Sequence, residues 1–384
     1  MFFAISRTVL FLLIISFVLI FTKAAATGGC PCRNVTHCLP IQGKPRKELF
    51  AFHGSPPTSE AWKKYNWSHI TTLGFVGTVL NQEMYCFAHS LGVRIVKLVD
   101  PPVDILFNET AVDAWVKHNV DIVLELGIDG LNVDFENWVN TSQSAALTKL
   151  MEKLSKVIRR RVSGGGQLSM DVPTKPHTKV LECKNLSTLC DFFVVMDYDD
   201  FWGCNGPTKD SPCYAEPNSP MQAMETAFKS WMNLLPGQPE KLIFGFPWYG
   251  YSYRCNGTNP QVEECRIAHV WDNLNFALNY LQIMNLTRNG TLYPSYKRIS
   301  PIVVDLNQSA VRFNYLDTQS SSIHQVWYDN PATISAKCDL AQQYGLLGVS
   351  MWNMDMLAYD PETEGMETAA DTAAMWAALN SFFS

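Results

Sequence analysis

The stretch Asp129-Gly130-Leu131-Asn132-Val133-Asp134-Phe135-Glu136 alternates polar and apolar side chains. A period of two marks a half-buried strand. Asn132, Asp134 and Glu136 are two apart and share one face, while Val133 and Phe135 take the other. Acidic side chains are seldom buried unless they are paired or used. Two carboxyls on one strand face can hold one protonated beside an ionised neighbour, which is what an acid catalyst needs. A solvated strand edge would carry the same residues, so the flanking chain has to decide.

Upstream, the segments 48–54 (ELFAFHG), 70–77 (ITTLGFVG) and 93–100 (VRIVKLVD) read as strands. Helical segments at 59–65, 81–92 and 109–127 separate them, the last ending at Gly127. Downstream, 144–162 is an amphipathic helix with Leu147, Leu150, Met151, Leu154, Val157 and Ile158 in one stripe. Arg159, Arg160 and Arg161 close it, where cations suit the helix dipole, so this charge run reads as a helix end and not a binding patch. Strands follow at 167–173 (QLSMDVP), 191–199 (DFFVVMDYD) and 241–250 (KLIFGFPWYG), with a helix near 220–235. Residues 251–320 break the rhythm and read as an insertion, with a helical stretch near 268–284. The segment 324–330 (HQVWYDN) resumes the pattern, a helix follows at 331–344, and 346–355 (LLGVSMWNMD) is the eighth strand before a closing helix at 365–382. Strands alternating with helices predict an α/β fold with a parallel sheet, and eight units predict a closed (β/α)₈ TIM barrel with an insertion between strands 7 and 8. Gly164, Gly165 and Gly166 follow a helix, the wrong context for a dinucleotide loop.

The chain has 384 residues, 47% apolar and 17% charged, an ordinary composition for a globular core. A net charge of −6 with no basic stripe argues against nucleic-acid binding. Arg7, an apolar run from Val9 to Phe21 and small residues Ala24 to Ala26 read as a secretory signal peptide over 1–26. The run is short for a spanning anchor, so the mature domain is expected at 27–384, with no membrane attachment after cleavage. On that route the eleven cysteines read mostly as disulfides, with at least one left over. Cys30, Cys32 and Cys38 crowd together as zinc ligands can, but the oxidising route favours disulfide staples, and no metal is expected. Sequons at Asn34, Asn66, Asn108, Asn140, Asn185, Asn256, Asn285, Asn289 and Asn307 are glycosylation candidates and fit secretion.

In a barrel, chemistry gathers at the C-terminal strand ends. The fourth strand ends at Asp134 and Glu136. The sixth ends in Met196-Asp197-Tyr198-Asp199-Asp200, the seventh in Trp248-Tyr249-Gly250, and the eighth carries Trp352. Acids, a tyrosine and aromatic rings around one mouth describe a sugar-binding cleft, because aromatic faces stack on sugar rings and acids protonate glycosidic oxygens.

The stretch Asp129 to Glu136 resembles the D-x-x-D-x-D-x-E signature of family 18 glycoside hydrolases, the chitinase-like barrels. Met196-Asp197-Tyr198-Asp199 is similar to that family's M-x-Y-D, and Trp352 falls at its eighth-strand tryptophan. Cys30-Pro31-Cys32 with Cys38, the asparagine in DGLNVDFE, PWYGYSY at 247–253 and HQVWYDNP at 324–331 resemble one lysosomal branch of the family. The resemblance spans essentially the whole mature chain.

This resemblance implies that Glu136 is the general acid and then the base that activates water. No second carboxylate serves as nucleophile; the substrate's 2-acetamido oxygen attacks the anomeric carbon, with net retention. Asp134 would hold the acetamido N–H, and Tyr198 would donate to the acetamido oxygen. Asp199 would bind polar groups of the same sugar, and Trp352 would lie under it. Asn132, Trp248 and Tyr249 are further candidates for substrate contact, while Asp129, of opposite parity, would support the strand.

Two positions depart from the wider family. Asn132 stands where most members carry aspartate, so like-charge coupling from that position is absent, although the amide can donate to Asp134 and fix its rotamer. The third strand lacks the S-x-G-G pattern common in chitinases. The activity implied is exo-hydrolysis of the β-1,4 bond in the N,N′-diacetylchitobiose core of asparagine-linked glycans, in the lysosome, releasing the reducing-end GlcNAc. A secreted endochitinase and a catalytically silent chitinase-like lectin are the alternatives. No cofactor is expected, the partner is an N-acetylglucosamine-containing oligosaccharide, and a monomer is expected.

Overall fold

A computed structural model describes residues 29–43, 47–137, 139–177, 181–199, 213–257, 259, 263–267, 277–360 and 366–384. The segment 1–26 expected as a signal peptide, Asp200 and most of the helical stretch expected near 268–284 lie outside these residues. Eight parallel strands close the barrel in the order β1 (Glu48–His53), β2 (Thr72–Phe75), β3 (Arg94–Val99), β4 (Gly130–Asp134), β5 (Gln167–Pro173), β6 (Phe192–Met196), β8 (Leu242–Pro247) and β16 (Gly348–Trp352), which pairs back onto β1. Between β6 and β8 lies β7 (Cys213–Tyr214), which pairs with β10 (Arg266–Ile267) outside the barrel. The parallel barrel is thus the one expected from the alternation of strands and helices.

Period two separates two cores. Leu131 and Val133 of β4 face outward into the large helix-facing core, with Leu49, Leu73, Ile95, Leu168, Met170 and Phe193 from neighbouring strands. A smaller cluster holds Phe50, Phe52, Val96, Leu98, Phe192, Val194 and Ile243. These have the parity of Asn132 and Asp134, so the barrel lumen is apolar beside β1, β3 and β6 and polar beside β4 and β5. The helix Thr141–Arg161 packs Leu147, Leu150, Met151, Leu154 and Ile158 on the outer face of the barrel. Asn140 starts it with a reciprocal capping box to Gln143. At its far end Arg159 pairs with Asp191 at 2.9 Å and Arg161 with Asp121 at 2.6 Å, so two of the three arginines are spent on packing the helix end.

The insertion is wider than the break in rhythm indicates. Its six-stranded sheet joins β11 (Ala277–Asn279), β9 (Tyr249–Arg254), β15 (Ser322–Tyr328), β14 (Ala310–Asp317) and β12 (Tyr296–Arg298), with β13 (Val303–Asp305) also on β14. The segment 324–330, which by pattern rejoins the barrel, lies largely in β15 and pairs antiparallel with β14 and β9. Tyr249 likewise opens β9 and does not end the barrel strand, which stops at Pro247. The predicted helix at 59–65 is only a short 3₁₀ turn, Ala61–Lys64.

The cysteines resolve the metal question at the N-terminus. Cys30 pairs with Cys38 and Cys32 with Cys86, so these sulfurs are spent on disulfides and not on zinc. Cys255 pairs with Cys265, and Cys213 is also disulfide-bonded. Cys183, Cys190 and Cys338 are buried free thiols. Of the sequons, Asn34, Asn108, Asn140, Asn185, Asn256, Asn289 and Asn307 are exposed, and Asn66 and Asn285 are half-buried. Asn108 and Asn140 also cap helices through Oδ1.

Candidate active site

Strand β4 runs from a closed floor to an open mouth. At the floor Asp129 is buried, and its Oδ1 accepts from the Ile41 N–H at 2.6 Å. Its Oδ2 accepts from the Ile95 N–H at 2.6 Å and from His89 Nε2 at 3.0 Å. Asp129 thereby ties the N-terminal arm, β3 and the helix Gln82–Ser90 to the foot of β4, at the end away from the mouth. A cavity of about 400 Å³ also opens at this end, lined by Arg94, Asp129, Arg159, Gln167, Asp191 and Lys241. Its cations are spent on the fold: Arg159 on Asp191, Lys241 on the Cys190 carbonyl and Arg94 on the Gly43 carbonyl.

At the mouth, Asp134 and Glu136 lie within hydrogen-bond reach of each other. Burial, then the charges of Glu136 and Asp100, push the Asp134 carboxyl up to about 7. Burial and the neighbouring Asp199 and Asp100 also raise Glu136, whose side chain is the more exposed of the two. Two acids with different exposure on one strand face can differ in proton affinity, as acid catalysis requires.

Asn132 does not turn to Asp134. Its Nδ2 donates to Asp171 Oδ2 at 2.7 Å, and its Oδ1 accepts from Ser169 Oγ at 2.6 Å. Both partners sit on β5, where Asn132 is in register with Ser169 and Asp134 with Asp171. The expectations that the amide fixes the Asp134 rotamer and contacts substrate are therefore corrected, because Asn132 is fully buried and its cross-strand partners satisfy both ends of the amide. Position 132 carries no charge to couple with Asp134; like-charge coupling comes instead from Asp171 on β5. This carboxyl is 3% exposed and is raised well above its usual range by burial first and by Asp134 second. Asp171 was not singled out in the sequence, although Leu168-Ser169-Met170-Asp171 repeats the polar alternation of β4.

Past β6, Tyr198 and Asp199 complete the acidic face. The Tyr198 ring reaches in over Gly245 of β8, where an added Cβ would meet its Cε1 at 3.1 Å. Burial and the surrounding Asp171, Asp134, Asp199 and Glu136 charges hold its phenol protonated, well above the usual range. Asp199 has φ 60°, a left-handed backbone that costs about 1 kcal/mol or more for a residue with a Cβ. Three contacts hold it there: its N–H donates to Asn218 Oδ1 at 2.7 Å, and its Oδ1 accepts from the Tyr249 and Tyr251 hydroxyls at 2.5 and 2.6 Å. Tyr249 is buried and spends its hydroxyl on Asp199, which makes it a support for the site. Tyr251 and Asn218 act likewise, and the sequence reading names neither.

Trp352 ends β16 half-buried, its ring 5.1 Å from Phe52, and it packs against both the lumen cluster and the insertion cluster that carries Tyr198 and Tyr249. Beside it Asp355 accepts from the Gly54 and Ser55 N–H groups, the Ser55 hydroxyl and the Tyr65 hydroxyl, with His53 at 3.3 Å. Burial raises this carboxyl, but the His53 and Ser55 contacts outweigh it and bring it to about 2. Trp248 is elsewhere. It is fully buried, with its ring 5.0 Å from Trp376 behind the barrel wall. One step of parity beyond Pro247 turns it away from the mouth, so its assignment to substrate contact is corrected.

The closed parallel barrel with acids, a buried tyrosine and a tryptophan at its C-terminal mouth defines a glycoside hydrolase. Residues 103–356 match the model of glycosyl hydrolases family 18, and the chain belongs to that family. Over 92% of this chain and 93% of the relative, it is 32% identical to a mouse (Mus musculus) protein named di-N-acetylchitobiase. It is also 32% identical to a Dictyostelium discoideum protein named probable di-N-acetylchitobiase 1, over 92% of this chain and 93% of the relative. Among solved structures, a class V chitinase from Nicotiana tobaccum, as a point mutant in complex with NAG4, shares the fold. It superposes with a TM-score of 0.67 at 14% identity, covering 88% of this chain and all of that one.

Proposed function

We propose that the chain is a retaining, substrate-assisted exo-glycosidase that splits the β-1,4 bond of the N,N′-diacetylchitobiose core of asparagine-linked oligosaccharides. It releases the reducing-end GlcNAc and works in the lysosome, reached by the secretory route. The observation that carries this reading is how the mouth acids are spent. Asp199 is held by two tyrosines and Asp355 by the donors around it. Asp134, raised to about 7 and bonded to Glu136, is a poor nucleophile. Glu136 is the acid left to meet the leaving group, so the nucleophile is best supplied by the sugar itself.

Glu136 in its acid form protonates the glycosidic oxygen. The C1–O bond breaks as the acetamido oxygen bonds to C1, giving an oxazolinium ion. Asp134 gives up to Glu136 the proton the two carboxyls share before substrate binds, and as the anion accepts the acetamido N–H and balances its developing charge. Tyr198 orients the acetamido group, and Trp352 forms the surface beneath the sugar. The Glu136 carboxylate then takes a proton from water; the water oxygen bonds to C1, the acetamido oxygen leaves, and the configuration is retained. Because Glu136 must begin protonated, activity falls as pH rises through its raised value. The relatives named di-N-acetylchitobiase support the choice of bond.

Product analysis tests this reading, with a free high-mannose glycan beside a chitin oligomer and a plain β-glucoside. GlcNAc released from the reducing end alone, and an uncut glucoside, is the expected result. Internal cuts would make the chain an endochitinase, no cuts a lectin, and efficient glucoside hydrolysis would rule out substrate assistance.

A further inference from the structure

The mouth contains a polar arrangement that the reaction above leaves unused. Asp134 Oδ1 and Asp171 Oδ1 are both buried and both lack a hydrogen-bond partner. They belong to residues in direct register on adjacent strands. The other oxygen of Asp171 is oriented, since Oδ2 accepts from Asn132, and the Asp134 carboxyl meets Glu136. Two buried carboxyl oxygens without donors are costly, and a single proton between them satisfies both.

We propose that Asp171 is a positioning residue that stays a neutral carboxylic acid through the working range and donates its proton to Asp134 Oδ1. Asn132 occupies Asp171 Oδ2 and so leaves Oδ1 to carry the proton; its N–H by itself favours the anion, but burial and the neighbouring acids outweigh it, and Ser169 fixes the amide in turn. The donated hydrogen bond leaves Asp134 able to be the anion that receives the acetamido N–H. It also fixes the Asp134 rotamer, the task first assigned to Asn132. The groups facing Asp171 are Asp134 and Glu136 from β4 and the Tyr198 phenol beyond β6; Asp100 beyond β3 and Asp199 act on Asp134 and Glu136. Each is an acid, so the surroundings favour the proton on Asp171, as its burial does.

The inference rests on the substrate-assisted reading of the mouth, and its test separates the two. An amide copies a neutral acid: the side chain of an Asp171→Asn variant can accept from Asn132 and donate to Asp134, but cannot be an anion. Asp171→Asn is therefore expected to keep kcat within about 5-fold, with the pH–rate profile unmoved. Asp171→Ala removes the donor and is expected to lose about 10²-fold in kcat at little change in KM, with the basic limb of the profile displaced. An amide variant as damaged as the Asp171→Ala variant, in folded protein, would overturn the neutral-donor role, as would an Asp171→Ala variant with normal kcat and profile. A second measurement does not depend on turnover. Carbon-13 NMR of the protein labelled at aspartate carboxyls should show one resonance, lost in Asp171→Asn, that stays in its protonated position from mildly acid to neutral pH. If wild-type protein cleaves nothing while that resonance behaves so, the functional reading fails and the assignment of Asp171 stands. If wild-type protein is active and the resonance titrates like a free carboxyl, the assignment alone fails.

Discussion

The two ends of β4 treat an aspartate in opposite ways. Asp129 at the floor meets two backbone N–H groups and a histidine, all of them donors held by the fold. Asp134 at the mouth, five residues on, faces other acids and keeps a buried oxygen without a partner. A fully paired carboxylate stabilises the native state and is inert. A crowded one destabilises it and holds a proton that can be moved. The floor has an exception in Glu48, which burial also raises, although Thr71, Thr72 and Arg94 pull it back. The difference lies in supply: at the floor the arm and neighbouring strand ends bring donors, and at the mouth substrate has to complete the set.

Three experiments press on this contrast. Glu136→Gln should lower turnover by about 10²–10⁴-fold while leaving the unfolding midpoint close to wild type. Near-normal steady-state rates in that variant would remove Glu136 from the acid role. Asp129→Asn should act the other way round, costing about 3–5 kcal/mol of stability while kcat per folded molecule stays near normal. An amide there sets an N–H against a backbone donor, and urea unfolding paired with active-site-normalised rates would read the effect. A stable Asp129→Asn variant with slow turnover would erase the distinction between the two ends.

The third effect is smaller and depends on pH. The usual value for Asp134 is 3.8, against about 7 in the folded chain. Below the lower value both states are protonated and nothing is lost. Between the two, the unfolded chain ionises and the folded one does not, so stability falls as pH rises and levels off above about 7. Asp134→Asn removes this dependence, worth a few kcal/mol at most. Denaturant titrations of both proteins at mildly acid and mildly alkaline pH should show the variant losing less; equal slopes would mean that Asp134 ionises normally.

Much of this was legible in the residues. Alternation in 129–136 separates Asp129 from Asn132, Asp134 and Glu136, and the spacing of strands and helices predicts the barrel. Trp248 shows where such reading stops. The barrel strand ends at Pro247, and Tyr249 already belongs to the second sheet, so one residue decides between mouth and core. The segment 324–330 shows it too, since a strand of the insertion and a strand of the barrel have the same local composition.

The sequence by itself determined which side chains share a face, because the two-residue period of a strand is local geometry. It also determined the family, because the motif residues are contiguous. Only the tertiary structure decided that Asn132 belongs to Asp171 and Ser169 and that Asp134 lies opposite Asp171. Those pairings depend on the register between strands whose nearest ends are separated by a 21-residue helix and its loops. Barrel closure sets that register, and no local pattern in either strand encodes it.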